Sequence, residues 1–299
     1  MYHTPVLLKE SIQGLNITHG GIYVDVTFGG GGHSRRILEE LQGGRLFAFD
    51  RDPDAVQNSI DDPRFLLVNA DYRYIVNYLK LHNSIPCDGI LADLGISSHQ
   101  IDDPGRGFST RFEGKLDMRM DGREGLSAAE LVNSYSEQEL MEIFRRYGEI
   151  KNNRRLAKAI VSVRADEAIN TTGQLKEVAR QCTPRHLENK YLAQVFQAIR
   201  IEVNRELESL EIFLEKGMEA LRPGGRMVVI SYHSLEDRLV KNFFRSGNIA
   251  GTTEQDFYGN TATGIEIITR KPIVPGEDEI ELNPRARSAK LRIAEKKSP

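Results

Sequence analysis

Four glycines and two aspartates, each placed where a short apolar run ends, are the residues of this sequence best suited to hold a ligand. The glycines at 29–32 follow the run IYVDVTF, Asp50 ends RLFAFD and Asp93 lies in GILADLG. Without a Cβ, glycine lets a ligand lie against the main chain, and a helix that begins near His33 would offer unpaired N–H groups to an anion. An aspartate about 20 residues further on can accept both hydroxyls of a ribose. The loop and Asp50 together therefore favour a nucleoside cofactor.

Each of these residues also has an ordinary structural explanation. A glycine-rich loop is a weak signal by itself, and Asp50 could cap a helix that begins near Pro53. Asp93 could tie a loop, and a lone histidine such as His233 is more often structural than catalytic. All of them nevertheless fall at the carboxyl ends of predicted strands, where open α/β sheets bind ligands. We therefore take Asp93 and His233 as the catalytic candidates.

The elements that must position these residues alternate between strand-like and helix-like patterns over the first third of the chain. Short runs rich in Val, Ile, Leu and Phe are separated by amphipathic stretches such as HSRRILEEL and YRYIVNYLKL, which predicts βαβ units and a parallel sheet. Towards the C-terminus, RMVVISYHS predicts another buried strand, and GIEIITRKPI and SAKLRIAEK predict an antiparallel pair. A parallel sheet with an antiparallel end favours a Rossmann-like methyltransferase over a dinucleotide dehydrogenase.

Residues 106–205 interrupt this pattern and predict an inserted helical domain, so that residues 1–105 and 206–299 would form the Rossmann-like domain. Helices are announced by three capping boxes, which are Ser127 with Glu130, Ser136 with Glu139, and Thr171 with Gln174. Apolar residues from Tyr191 to Leu221 recur at every third or fourth position, which predicts one long helix. We expect the insertion to recognise the substrate.

The composition is that of an ordinary globular protein. Hydrophobic residues make up 39% of the chain and charged residues 28%, and the net charge is -3. No apolar run is long enough to cross a membrane and no secretory signal opens the chain, so we expect a cytoplasmic protein. Cys87 and Cys182 give no disulfide framework, and the histidines lack metal-ligand spacing, so we expect no metal.

Six long motifs in a fixed order carry a resemblance to a known family. They read DVTFGGGGHSRRIL, LADLGISSHQIDD, RGFS, LDMRMD, SYHSLEDR and NPRARSAKLRIAEK, and they extend along almost the whole chain. In these motifs the sequence resembles the ribosomal RNA small subunit methyltransferase H family. The resemblance implies transfer of a methyl group from S-adenosylmethionine to the exocyclic N4 of a cytidine in the decoding region of small-subunit (16S) rRNA.

The resemblance also implies a set of cofactor-binding residues. These are Gly31, Gly32, His33, Asp50, Tyr72, Asp93 and Gln100. Tyr72 lies in NADYRYI, which is less like the family's usual Phe-containing segment, and Tyr74 is the alternative aromatic beside an adenine.

A cytosine amino group is a poor nucleophile, because its lone pair is delocalised into the ring. A hydrogen-bond acceptor must localise the lone pair and take the proton that is released. We expect Asp93 to be that acceptor, and either Phe108 or Tyr232 to stack on the base.

Basic segments are the expected contacts to RNA. Residues 285–297 carry the candidates Arg285, Arg287, Lys290 and Arg292, and the segment 106–123 carries Arg106, Phe108 and Arg119 and could close over the base. A further run, KNNRRLAK at 151–158, has two interpretations, an RNA contact or a solvated helix face.

Two other classes of protein share part of this pattern. An NAD-linked oxidoreductase would use the same glycine loop and Asp50, and a non-enzymatic ribosome-assembly factor would use the basic segments. The expected partner is the small ribosomal subunit. The oligomeric state stays open, with a homodimer as one alternative.

Overall fold

The computed structural model describes residues 5–123, 125–252 and 263–298. Backbone contacts divide the chain into two compact units. The first, here called the sheet unit, joins Met1–Gly95 to Leu207–Pro299, and the second, the helical unit, is Ile96–Glu206. The first boundary therefore lies earlier than the predicted residue 106, because Ile96 already packs against the apolar core of the helical unit.

The sheet unit is built on a mixed seven-stranded sheet. Its strands are β1 (Ile22–Asp25), β2 (Arg45–Phe49), β3 (Phe65–Val68), β4 (Cys87–Asp93), β5 (Leu221–Ser231), β6 (Ile265–Ile267) and β7 (Lys290–Lys296). The order is β3-β2-β1-β4-β5-β7-β6. Strands β1 to β5 are parallel, and β7 runs antiparallel to both β5 and β6. This is the Rossmann-like sheet with an antiparallel end that the sequence predicts.

Helices cover the sheet in the sheet unit, and other helices make up the helical unit. In chain order they are α1 (Leu8–Leu15), α2 (Gly32–Glu40), α3 (Ile75–Leu81), α4 (Ser98–Asp102), α5 (Ala128–Ser134), α6 (Glu137–Arg146), α7 (Asn153–Asp166), α8 (Thr172–Arg180), α9 (Glu188–Asn204), α10 (Glu206–Ala220), α11 (Ser234–Ser246) and α12 (Glu277–Leu282). The stretch PDAVQNSI, which has a helix-like pattern, forms only a 3-10 helix at Pro53–Asn58. Among the residues that the structure describes, no helix is both long and apolar enough to cross a membrane.

The central strands are covered on both faces. Five consecutive β5 residues, 227–231, are buried, and so are four at the end of β2. A strand of a parallel sheet with helices on both sides reads as a continuous apolar run rather than an alternating one. The sheet edge where β1, β2 and β4 end is thus held by a rigid core, which fixes the residues that follow these strands.

Capping explains where several helices of the helical unit begin. All three predicted boxes are present at the starts of α5, α6 and α8. A fourth box, Ser97 with Gln100, opens α4. Each cap satisfies N–H groups that would otherwise lack a partner and contributes about 1 kcal/mol.

The predicted single helix from Tyr191 to Leu221 is wrong. It is two helices, because Arg205 adopts a left-handed conformation (φ 49°) between α9 and α10. The preceding Asn204 side chain is bound on both sides, donating to the Met118 carbonyl at 2.7 Å and accepting from the Met120 N–H at 2.8 Å. These contacts come from a distant segment, so apolar spacing alone does not reveal the break.

Segment 106–123 belongs to the helical unit and packs into its apolar core rather than forming a loose loop. Leu116, Met118 and Met120 are buried in its core. The Leu116 N–H donates to the Asn170 carbonyl at 3.0 Å, and the Arg106 guanidinium donates to the Met120 carbonyl at 3.0 Å. Closure of this whole segment over a base would have to break these contacts.

Candidate active site

The glycine loop connects the end of β1 to the start of α2, as predicted. Gly29 and Gly31 have φ angles of 50° and 76°, in the left-handed region that residues with a Cβ rarely adopt. A Cβ on Gly32 would collide with the ring of Pro5. Among the described residues, no side chain caps the N-terminus of α2. The loop therefore offers main chain and the positive end of a helix to an anionic or polar ligand.

Asp50 is tied to this loop. Its Oδ2 accepts the Gly29 N–H at 2.7 Å, and its Oδ1 accepts the Asp52 N–H at 2.8 Å. The capping role considered for Asp50 belongs to Asp52 instead, whose side chain accepts the Asp54 N–H. Each oxygen of Asp50 keeps a second lone pair, so the carboxylate can still accept ribose hydroxyls. Burial raises its pKa to about 6.

Asp93 ends β4, and its carboxyl group has a strongly raised pKa. Its Oδ1 accepts the Tyr232 hydroxyl at 2.7 Å, and its Oδ2 lies 3.8 Å from His33 Nδ1. Its pKa is raised to about 7, chiefly by burial and also by the charges of Asp25 and Glu236, while the Tyr232 hydrogen bond lowers it. Asp93 can therefore exchange a proton near neutral pH.

His33 faces Asp93 as a neutral ring. Its Nε2 lies 3.2 Å from the Val6 carbonyl oxygen, which can only accept, so Nε2 carries the proton and Nδ1 carries a lone pair. Burial lowers the pKa of His33 to about 4. When Asp93 is ionised, His33 Nδ1 and Asp93 Oδ2 are therefore two acceptors 3.8 Å apart with no proton between them. An N–H or O–H donor of a ligand could bind to both.

Asp25 was missed by sequence reasoning. It ends β1, is 1% exposed, and accepts the Ser34 hydroxyl at 2.6 Å. The neighbouring Thr27 hydroxyl accepts the Asp93 N–H at 2.6 Å. Burial raises the pKa of Asp25. The sequence does contain a signal for it, because Asp25 comes at the end of an apolar strand as Asp50 and Asp93 do.

His233 has a local structural role. It is the N-cap of α11, where its Nδ1 accepts the Glu236 N–H at 3.4 Å. Glu236 is 3% exposed and accepts the Tyr232 N–H at 3.0 Å. A catalytic role for His233 stays a prediction.

Tyr232, the other candidate to stack on the base, is held at both ends. Its hydroxyl donates to Asp93, and its ring lies so close to Gly95 that a Cβ added to Gly95 would be 3.4 Å from the ring.

The remaining predicted cofactor residues lie in different surroundings. Tyr72 follows β3 and packs edge-on against Phe213, with ring centroids 5.2 Å apart. Tyr74 is half exposed, with the Arg73 guanidinium 5.8 Å from its ring centroid. Gln100 belongs to the helical unit, where it is buried and accepts the Ser97 N–H at 3.0 Å. A cofactor role for Tyr72 and Gln100 stays a prediction.

The three RNA-contact candidates of segment 106–123 are engaged within their own unit, and RNA contact by the two arginines stays a prediction. Phe108 is 6% exposed and belongs to the core of the helical unit, so its ring is not available to stack on a base. Arg119 forms a bidentate pair with Asp117 at 2.9 and 2.8 Å. Arg106 spans the same segment through its bond to the Met120 carbonyl. Both arginines therefore hold their own segment together.

The candidates of the C-terminal basic run lie in different surroundings. Lys290 and Arg292 share the carboxylate of Asp237, at 3.0 and 2.7 Å. Arg292 is 8% exposed, because β7 lies between two other strands and is covered on both faces. Arg287 is exposed and Arg285 is partly buried, on the short turn Pro284–Ser288. The Lys290 side chain is 42% exposed despite its ion pair, and an RNA contact for these C-terminal candidates stays a prediction.

Comparison with known proteins shows the family to which the chain belongs. Residues 1–297 match the MraW methylase family. A ribosomal RNA small subunit methyltransferase H from Bacteroides thetaiotaomicron is 57% identical over 297 residues, which cover 99% of this chain and 98% of that protein. The protein of the same name from Cytophaga hutchinsonii is 56% identical, over 99% of this chain and 100% of its own. A solved rRNA methylase from Streptococcus thermophilus is 11% identical, with a TM-score of 0.45 over 99% of both chains. The chain belongs to the MraW methylase family.

Proposed function

We propose that the protein transfers a methyl group from S-adenosylmethionine to the exocyclic N4 of a cytidine in the decoding region of 16S rRNA. The observation that carries the chemistry is Asp93, a carboxyl group with a pKa near 7 at the ligand-binding edge of the sheet. The names and the similarity of the relatives support the substrate.

The residues present fit S-adenosylmethionine. The glycine loop adopts the left-handed backbone that brings main chain to this edge, and the uncapped start of α2 suits a carboxylate. Asp50 has lone pairs for ribose hydroxyls beside the loop. When bound, the cofactor supplies a methyl group on a positively charged sulfur that is open to in-line attack. Tyr72 and Gln100 are the further contacts that we propose, on the strength of the family motif.

The protein's own part in the reaction centres on Asp93. Tyr232 holds Oδ1, which leaves Oδ2 to accept an N–H of the amine and then the proton that this nitrogen loses. His33 is neutral and offers a second acceptor 3.8 Å from Oδ2. Two acceptors match the two hydrogens of an amino group, so this pair would orient the nucleophile.

The decisive experiment measures methyl transfer from labelled S-adenosylmethionine to unmodified small subunits and, separately, to naked 16S rRNA. Digestion and mass spectrometry of the nucleosides should yield N4-methylcytidine on at least one of them. The matched control is Asp93→Asn, which keeps the shape and should bind the cofactor but lose most of the rate. No label on either RNA, despite tight cofactor binding, would contradict the proposal and favour the assembly factor.

The oxidoreductase alternative is not favoured, since the chain belongs to a methylase family. The proposal implies a cytoplasmic enzyme whose partner is the small ribosomal subunit. A homodimer stays a prediction, which sedimentation of the purified protein would decide.

A further inference from the structure

Several exposed basic residues on the helices of this protein are paired with acids of the same surface. Arg36 binds Glu39 and Glu40 on α2, at 3.0 and 2.6 Å. Pairs within one helix also join Arg145 to Glu142 and Lys216 to Glu219, and Arg180 on α8 binds Glu188 on α9. Such pairs add only a few tenths of a kcal/mol each, but they cancel the surface charge.

The beginning of α7 is different. Lys151, Arg154, Arg155 and Lys158 are all exposed. The first turn of α7 contains no acid, and no side chain caps it. Within the described ranges, no ion pair within 4.0 Å joins any of these four residues to an acid.

This arrangement opposes the stability of the helix. Cations in the first turn face the positive end of the helix dipole, which costs roughly 0.3–1 kcal/mol each. Arg154 and Lys158 are four residues apart, where like charges repel by a further few tenths of a kcal/mol. Folding alone therefore does not explain why the positive charges stand here.

The turn before α9 extends the charge. Arg155 donates to the Gln181 carbonyl at 2.6 Å, and Asn152 donates to the Cys182 carbonyl at 2.7 Å. These bonds hold the start of α7 against a segment that continues into exposed Arg185 and Lys190. The acid in that segment, Glu188, is already bound by Arg180. We call Lys151, Arg154, Lys158, Arg185 and Lys190 together the α7–α9 basic face.

We propose that the α7–α9 basic face binds the phosphodiester backbone of the rRNA substrate, an inference that rests on the proposed function. Phosphate groups would supply the negative charge that no neighbouring acid in the described part of the chain supplies to these residues. Exposed Arg and Lys side chains are suited to bind phosphates. Backbone contacts of this kind fix position without reading sequence. Because the net charge of the whole chain is -3, attraction to RNA must come from such a local surface.

The test replaces Lys151, Arg154 and Lys158 by Gln in one triple variant. Binding to unmodified small subunits is measured over a range of salt concentrations, with S-adenosylmethionine binding measured in parallel. Each lost phosphate contact should lower the slope of log affinity against log salt by about 0.7–0.9, so the slope should fall by about 2. Affinity for S-adenosylmethionine should not change.

The matched control is Arg145→Gln with Arg146→Gln on α6, which removes positive charges of the same unit that face Glu142. If the triple variant and this control have the same salt slope, the face is merely solvated and the proposal is wrong. Lower affinity with an unchanged slope would assign the face to a ribosomal protein and would also overturn it. Should the wild-type protein show the steep slope but form no N4-methylcytidine, the methyl-transfer proposal fails while the basic face stands.

Discussion

At the scale of single residues, Asp93 and Tyr232 form the pair on which the chemistry depends. Burial and two neighbouring carboxyl groups favour the protonated form of Asp93, and the Tyr232 hydroxyl is the contact that favours the ionised form. Tyr232 itself stays protonated, since burial and the charge of Asp93 raise its pKa well above its ordinary value. The sequence identified Asp93 from its position at a strand end, but Tyr232 is 139 residues away, and no local pattern links the two.

The first prediction concerns Tyr232→Phe. Loss of the hydroxyl should raise the pKa of Asp93 above about 7, so less of the carboxylate that accepts the proton is present at neutral pH. The rate should fall about threefold to tenfold at pH 7 and recover as the pH rises, with little change in cofactor affinity. The pH dependence of the methyl-transfer rate is measured from about pH 6 to about pH 9. This range extends roughly one unit below and two units above the pKa of Asp93.

Tyr23→Phe is the control for the loss of a buried hydroxyl. Tyr23 is 1% exposed and its hydroxyl accepts the Thr18 N–H at 2.8 Å, within the same unit. A pH profile of Tyr232→Phe that coincides in shape with those of the wild type and of Tyr23→Phe would show that Tyr232 does not control Asp93.

The second prediction links Asp93 to stability. Its folded-state pKa, about 7, lies above the ordinary 3.8, so the folded protein binds the proton more tightly than the unfolded chain. The wild-type free energy of unfolding should therefore fall relative to that of Asp93→Asn as the pH rises from about 4 to about 7. Above about pH 7, the free energy of unfolding of Asp93→Asn relative to that of the wild type should be higher by on the order of 1–4 kcal/mol than it is near pH 4. Urea denaturation of the cofactor-free proteins at both ends of the range measures the difference, and a constant difference would contradict the raised pKa.

At the scale of elements, the sequence predicted what depends on local pattern. Buried strands, the glycine loop and three capping boxes were found because their signals lie within a few residues. The break at Arg205 was missed because it depends on contacts between Asn204 and segment 118–120. The burial of Arg292 was missed for the same reason, since its partner Asp237 lies 55 residues away.

The third prediction belongs to α7. Arg154→Glu places an acid in the first turn, where it suits the helix dipole, so the free energy of unfolding should rise by about 0.3–1 kcal/mol. Arg164→Glu at the other end of the same helix should lower it, because Arg164 lies in the last turn and donates to the Val132 carbonyl at 2.6 Å. Thermal or urea unfolding compares the two. If Arg154→Glu destabilises the protein, the charges on α7 serve folding and not a partner.

At the scale of the whole molecule, the predicted cofactor residues are divided between the two units. Gly31, Gly32, His33, Asp50, Tyr72 and Asp93 lie in the sheet unit, and Gln100 lies in the helical unit. The positions of the glycine loop, Asp50 and Asp93 were predictable because consecutive parallel strands end at one edge, whereas Tyr72 came from the family motif and its cofactor role stays a prediction. Gln100 came from the family motif, and the structure places it in a capping box at the start of α4.

The fourth prediction tests this division by amide hydrogen exchange with and without S-adenosylmethionine. A ligand that binds only the folded state stabilises it by about 2.7 kcal/mol at a hundred times its dissociation constant. Protection should increase around residues 27–33, 49–52 and 91–95, which surround the glycine loop and the two strand ends. If Gln100 contacts the cofactor, residues 97–102 should gain protection as well, and Gln100→Ala should abolish that gain. Ser127→Ala, which removes an equivalent cap at the start of α5, controls for the loss of capping alone. Added protection confined to the sheet unit would leave Gln100 as a helix cap and place the whole cofactor site on the sheet.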